Sequence, residues 1–244
     1  MTSAEAMLYQ LKNLKGKPLK QKLEHIFTYY WIPILVVAAT LCFTVAYAVH
    51  LVTVKDPGLT VTCINAYAQL DQAETYMTEF ARKADIDLDQ YEVRLSAELY
   101  ISEENLMDSY DTLQVLGAHM AAQAIDVLVS DPQTLCPFIY QDAFADLTQV
   151  LSPEQQAQYG AYFLYMDLAV LKEPETVTET VAEYPDPSKP ELMAEPVPVA
   201  LLLPEDSSFW QLCYFQAPGP VAIGILGNTL NTDNALAFLD YIME

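Results

Sequence analysis

The sequence predicts an α/β protein: one N-terminal transmembrane helix, then a mostly parallel sheet with helices packed on it. Three observations predict this. Residues 31–52 form an uncharged run of 22 residues. Strand-like and helix-like patterns then alternate over about seventy residues. Lysine is concentrated before the run and acid after it. The chain has 244 residues, so the part beyond the run is ample for one domain with its own core.

The first 30 residues hold five lysines (Lys12, Lys15, Lys17, Lys20 and Lys22) against Glu5 and Glu24. They read as a mostly extended cytoplasmic tail, because Gly16-Lys17-Pro18 interrupts any helix. At ~1.5 Å per residue the run WIPILVVAATLCFTVAYAVHLV spans ~33 Å, enough for the hydrocarbon core of a bilayer. The transmembrane helix is expected over residues 31–53. Pro33 falls in the first turn, where a missing N–H costs little. Tyr29, Tyr30 and Trp31 make an aromatic belt at one interface, and Lys20 and Lys22 anchor the same side. Lysines before the span set the N-terminus inside and the later residues outside the cytoplasm. Ala46-Tyr47-Ala48 fits a signal-peptidase site. The apolar run continues past it through Val49, Leu51 and Val52, which favours an uncleaved anchor.

From Trp31 onward there are 31 acids and six basic residues. A domain so acidic repels phosphate backbones, which excludes nucleic acid as a partner. Asp56-Pro57-Gly58 is a turn that opens a domain over residues 57–244. Residues 59–68 (LTVTCINAYA) read as a strand. Residues 71–83 read as a helix, with Ala73, Tyr76, Met77, Phe80 and Ala81 on one face. Asp71 and Glu74 suggest its capping box. Residues 91–100 alternate, with Val93, Leu95, Ala97 and Leu99 opposite Glu92, Arg94, Ser96 and Glu98. Residues 109–124 read as a second helix, with Leu113, Leu116, Met120, Ala121 and Ala124 inward. The apolar run 125–129 reads as a buried parallel strand.

Ser152-Pro153-Glu154-Gln155 is the clearest helix start, with the helix expected to reach about residue 164. Residues 173–196 hold five prolines and seven acids. They read as a surface excursion, with a short strand at 176–181. Residues 197–203 and 221–226 read as strands, with an edge strand or short helix at 209–215 between them. Asn231-Thr232-Asp233 caps a last helix over 234–243.

Residues 125–155 (IDVLVSDPQTLCPFIYQDAFADLTQVLSPEQ) place a buried strand, a short helix and a capped helix in series. Residues 219–243 (GPVAIGILGNTLNTDNALAFLDYIM) place a strand, a polar turn and a helix. Together these resemble one lobe of a type-II extracytoplasmic solute-binding protein. The whole layout is also similar to uncharacterised membrane-anchored proteins of anaerobic Gram-positive bacteria. The resemblance implies an outer domain that holds a small ligand. No lipobox cysteine accompanies it, because Cys42 lies inside the span. The domain is also too short for two full lobes.

Little in the sequence points to catalysis. His119 is the only histidine beyond the span, with no GxSxG or reactive-cysteine signature near it. Cys63, Cys136 and Cys213 are far apart without CxxC spacing, which argues against zinc. They are buried free thiols, or two of them form a disulfide. Seven glycines include no phosphate-binding loop, so no cofactor is expected. The acids, Asp126 and Asp131 among them, read as solvated or capping groups. Tyr67, Tyr100 and Tyr140 fall at or after predicted strands, where open α/β sheets bind ligands. With Asp131 and Asn228 they form the candidate ligand-binding set.

The expected function is therefore a membrane-tethered extracytoplasmic protein that binds or scaffolds without catalysis. Its expected partners are the lipid bilayer and either a small-molecule ligand or a membrane protein. One alternative is an accessory subunit docked on a polytopic membrane protein or transporter. An alternative from another class is a cell-surface hydrolase, disfavoured by the missing nucleophile–base and metal sets.

Overall fold

The computed structural model describes residues 18, 31–102, 109–172, 184–216 and 219–243. Tyr29, Tyr30, Lys20, Lys22 and the strand expected at 176–181 lie outside the described residues. The chain forms two compact units, residues 1–54 and 55–244.

The first unit contains helix α1, Trp31–Thr53, 23 residues long. Among the described residues it is the one helix long and apolar enough to cross a membrane. Its polar hydroxyls are absorbed within the helix. Thr40 donates to the Val36 carbonyl at 2.8 Å and Thr44 to the Thr40 carbonyl at 2.8 Å. This removes the cost of an unpaired hydroxyl in an apolar surrounding.

The second unit is built on a six-stranded sheet. Its elements are β1 (Asp56–Ile64), β2 (Ala66–Ala68), α2 (Leu70–Lys83), β3 (Tyr91–Leu99), α3 (Tyr110–Ala121), β4 (Val127–Ser130), α4 (Pro132–Ile139), α5 (Leu147–Val150) and α6 (Pro153–Tyr159). They continue as β5 (Phe163–Asp167), α7 (Leu168–Lys172), β6 (Pro196–Leu202), β7 (Cys213–Phe215), β8 (Ala222–Ile225) and α8 (Thr232–Met243). The sheet order is β3-β1-β4-β8-β6-β5, and β2 and β7 form a separate two-stranded ribbon.

The β-α-β-α-β alternation is present. The crossover through α2 carries the chain from β1 to β3 on one side. The crossover through α3 carries it back past β1 to β4 on the other. Both pairings of β1 are parallel. The expectation of a mostly parallel sheet is corrected, because β4–β8, β8–β6 and β6–β5 are all antiparallel. Three of the five pairings thus reverse.

Each face of the sheet carries its own core. The first face holds Leu59, Val61, Cys63, Val127, Val129, Ile223 and Ile225 under α2, α8 and Phe209. Phe80 meets Phe238 edge-on at 5.1 Å, and Phe209 meets Phe238 at 6.3 Å, which favours these rings beyond their burial. The second face holds Ile64, Leu128, Ala200 and Ala222 under Leu116 of α3 and Leu135, Phe138 and Ile139 of α4.

Local chemistry sets several boundaries. The expected box at Ser152 forms in full, with Ser152 accepting from Gln155 N and Gln155 accepting from Ser152 N. That helix ends at Tyr159, however, and residues expected to extend it become β5. The Asp71 box does not form: α2 begins one residue earlier, with Gln69 as an N-cap that makes no side-chain bond. The single strand expected over 59–68 is broken by Asn65, whose φ of 57° turns the chain from β1 into β2.

Candidate functional site

The chain winds in opposite directions away from β1, so β1 and β4 flank a topological switch point. In open α/β sheets the crevice outside the strand carboxyl ends at such a point is where ligands bind. Here that point is filled by the protein's own polar groups. Asn65 Oδ1 accepts from Ile101 N at 2.7 Å, and its Nδ2 donates to Thr134 Oγ1 at 3.3 Å. Asp131 caps α4, accepting from Thr134 N at 2.9 Å and Thr134 Oγ1 at 2.7 Å. Ser130 Oγ donates to the Ile64 carbonyl at 2.9 Å. The Asp131 carboxylate thus takes the place at the helix start where a ligand anion would otherwise sit.

The open space lies beside the switch point, on the second face. A groove of about 660 Å³ runs between β3 and α3. Its floor is the polar side of the β1–β3 pair. Thr60 lies opposite Arg94, and Thr62 opposite Ser96. Adjacent parallel strands lie ~4.8 Å apart and alternate residues ~6.6 Å apart, so the four side chains occupy the corners of a small rectangle. Val115 and His119 of α3 form one wall, Ile125 contributes apolar surface, and Tyr67 and Leu70 border the groove. Glu98 also lines it, beyond an irregularity in pairing between Thr62 and Ile64. Thr60 and Thr62 are 4% and 3% exposed. Thr60 Oγ1, Thr62 Oγ1, Ser96 Oγ and the Arg94 guanidinium have no hydrogen-bond or ion-pair partner among the described residues, and none of them is a buried unsatisfied atom, so all four open onto the groove.

The five candidate residues do not meet in one site. Tyr67 borders the groove, 66% exposed, and pairs across the ribbon with Tyr214, 57% exposed. Tyr100 is exposed just after β3. Asp131 is committed to capping. Tyr140 is buried away from these, stacked on Tyr184 at 4.6 Å and donating to the Pro185 carbonyl at 3.3 Å. Burial pushes its phenol up to about 12, although a bond from Asp167 N opposes the rise. Asn228 lies past the end of β8, which pairs with the start of β4, so it sits at the opposite edge of the sheet. There it donates to the Met120 carbonyl at 2.8 Å and lines a separate hollow of about 570 Å³.

Two buried acids carry structure that their sequence context did not disclose. Asp126 is 1% exposed, which corrects its reading as a solvated or capping acid. Its carboxylate accepts from Thr60 N at 2.7 Å, from Asn231 Nδ2 at 3.2 Å and from the Thr229 hydroxyl. It thereby ties β1 to the turn before α8. Asp167 is held below the usual carboxylate range. Burial works against this, but the N–H groups of Ala194, Glu195 and Ala169 outweigh it. The three cysteines of the domain are free thiols. Cys63 and Cys213, both buried, bring their sulfurs to 3.8 Å. Burial and the neighbouring Cys213 raise the Cys63 thiol well above its ordinary value, so it is a poor nucleophile.

Among the described residues, no group of three His, Cys, Asp or Glu side chains is arranged to hold a metal ion. The groove offers a guanidinium, three hydroxyls, a tyrosine, an imidazole and a carboxylate. Arg94 and Ser96 were legible as the polar half of the β3 alternation, whereas Thr60 and Thr62 were not singled out. What the sequence did not signal is that α3 stops short of covering it. Compared with protein-family models, curated proteins and solved structures, the chain matches none.

Proposed function

We propose that this is a membrane-tethered extracytoplasmic binding protein, acting without catalysis, whose outer domain holds a small polar ligand in the groove between β3 and α3. The observation that carries the reading is the open groove floored by four polar side chains whose polar ends have no partner among the described residues. Protein polar groups that are largely withdrawn from water are ordinarily paired. The Thr60 and Thr62 hydroxyls share one floor with Arg94 and Ser96, and none of these groups is buried without a partner, so they reach the open groove. The tether rests on α1, with the lysine-rich side retained in the cytoplasm. The reading also accords with the likeness of residues 125–155 and 219–243 to one solute-binding lobe.

The test is a thermal-shift screen of the full chain in detergent against small polar metabolites, repeated with Ser96→Trp. A tryptophan at 96 fills the groove floor. Ligands that raise Tm for the parent and leave S96W unmoved support the reading. Ligands that shift both chains equally, or a screen with no shift, sink it. Docking on a membrane protein is favoured by one separate observation, the opposed and exposed pair Tyr67–Tyr214. Co-purification lost on replacing both tyrosines by Ser would identify that role.

A further inference from the structure

Resting on the groove as the ligand site, we infer that its ligand is a small hydroxylated carboxylate, with the carboxylate held by Arg94 and the hydroxyls by Thr60, Thr62 and Ser96. Charge is the first argument. Beyond the span the chain has 31 acids against six basic residues. Carboxylates to pair with a guanidinium are therefore abundant, yet Arg94 pairs with none among the described residues. A guanidinium presents a planar fork of donors matched to a carboxylate, and it stays charged at any physiological pH. Arg94 is the one fixed positive charge lining the groove, and Glu98 the one acid.

Position is the second argument. Arg94 stands opposite Thr60, and Ser96 opposite Thr62. The Arg94 side chain therefore rises from one corner of a rectangle whose other three corners carry hydroxyl side chains, and it lines the same groove. A carboxylate at Arg94 places its neighbouring carbons over Thr60, Thr62 and Ser96, each able to donate and accept. Vicinal hydroxyls on those carbons match that floor. A cationic or purely apolar ligand matches neither the guanidinium nor the hydroxyls. Glu98 lies on the far side of Ser96 from Arg94 and can accept from a terminal hydroxyl while repelling a second carboxylate. The floor thus favours a monoacid over a diacid. Tyr67 and Val115 supply apolar contact for the carbon skeleton.

The shared chemistry fits either a ring acid, such as a uronate, or an open-chain sugar acid. Calorimetric titration of the full chain in detergent with D-glucuronate, D-gluconate, D-glucose and D-glucosamine separates them. Binding of glucuronate alone assigns the ring form, gluconate alone the open-chain form, and both the common carboxylate. Replacing Arg94 by Gln lowers the affinity for the acid about 10- to 100-fold, the usual worth of a hydrogen-bonded charge partner. Arg94→Lys recovers part of it, and Glu98→Gln leaves or raises it. Arg94 is exposed, so R94Q keeps the parent Tm, and Arg94→Met gives the same loss should R94Q not fold. Equal binding of glucose or glucosamine, acid binding indifferent to R94Q, or no binding of either acid overturns the assignment. Any of these leaves the groove itself standing if other ligands still bind in an S96W-sensitive way.

Discussion

The two faces of the sheet differ at one edge, and the difference locates the groove. On the first face, packing runs out to β3, where Val93, Leu95 and Ala97 join the core beneath α2. On the second face, α3 and α4 lie over β4, β8 and β6, and among the described residues of β3 only Leu99, at its end, joins that core. There Arg94 and Ser96 face the groove with Thr60 and Thr62. A parallel sheet is ordinarily covered on both sides, so the uncovered strip is the departure that needs a use. Its chemistry agrees with that: the same two strands alternate apolar residues toward the filled face and polar ones toward the open face.

The comparison can be broken most forcefully on the filled face. Phe238→Ala removes the ring between Phe80 and Phe209 and is expected to cost about 4 kcal/mol, measured by urea unfolding. A cost below about 1 kcal/mol would show that this face is not the main core. Asp126→Ala strands Thr60 N, the Thr229 hydroxyl and Asn231. About 3 kcal/mol is expected, with weakened groove binding because Thr60 is released. On the second face, Gly224→Ala would place a Cβ 2.3 Å from the Phe144 ring. It should cost about 2 kcal/mol by overpacking.

Acid should act locally. Asp186 is held at about 2 by side-chain bonds from Lys189 and Ser188. A depressed carboxylate contributes stability above its unfolded value near 3.8, and that stability is lost as pH falls through about 2. The group is largely exposed, so the effect is small. It should appear as faster amide exchange confined to residues 184–196 between pH 4 and about 2. Smallest of all, Thr62→Val removes a hydroxyl that has no partner among the described residues. Stability should change by less than about 0.5 kcal/mol, while ligand affinity falls. A loss above about 1 kcal/mol would mean that the floor is core and not binding surface.

How much of this was legible divides along the same line. The winding from β1 to β4 followed from local patterns, since each strand and helix there has its own period and neighbours in sequence pair in space. The Ser152 cap was legible because both its halves lie within four residues. The helix over 31–53 was legible from its length and lack of charge, and it is long and apolar enough to cross a membrane. The antiparallel half was not, because pairings such as β4 with β8 join segments that no local period links. β5 was hidden behind a helix start whose downstream limit depends on packing. The candidate tyrosines were chosen by their place after strands, and only Tyr67 borders the groove; Tyr140 was drawn into the core by α4. Arg94 and Ser96 were visible as the polar side of β3, but such a stripe reads as solvent-facing until the neighbouring helix is placed, and Thr60 and Thr62 were hidden in a run read simply as an apolar strand.

The place of β8 between β4 and β6 has a consequence for how the chain is made. During synthesis β4 and β6 appear before the strand that joins them. Until β8 is added, each presents an unsatisfied edge, and the sheet consists of two separate fragments. Closure is a late event that depends on contacts between distant segments, which slows folding. A growing chain therefore carries two sticky edges while β8 is still missing, and this interval, more than the finished fold, is where it is exposed to misassembly.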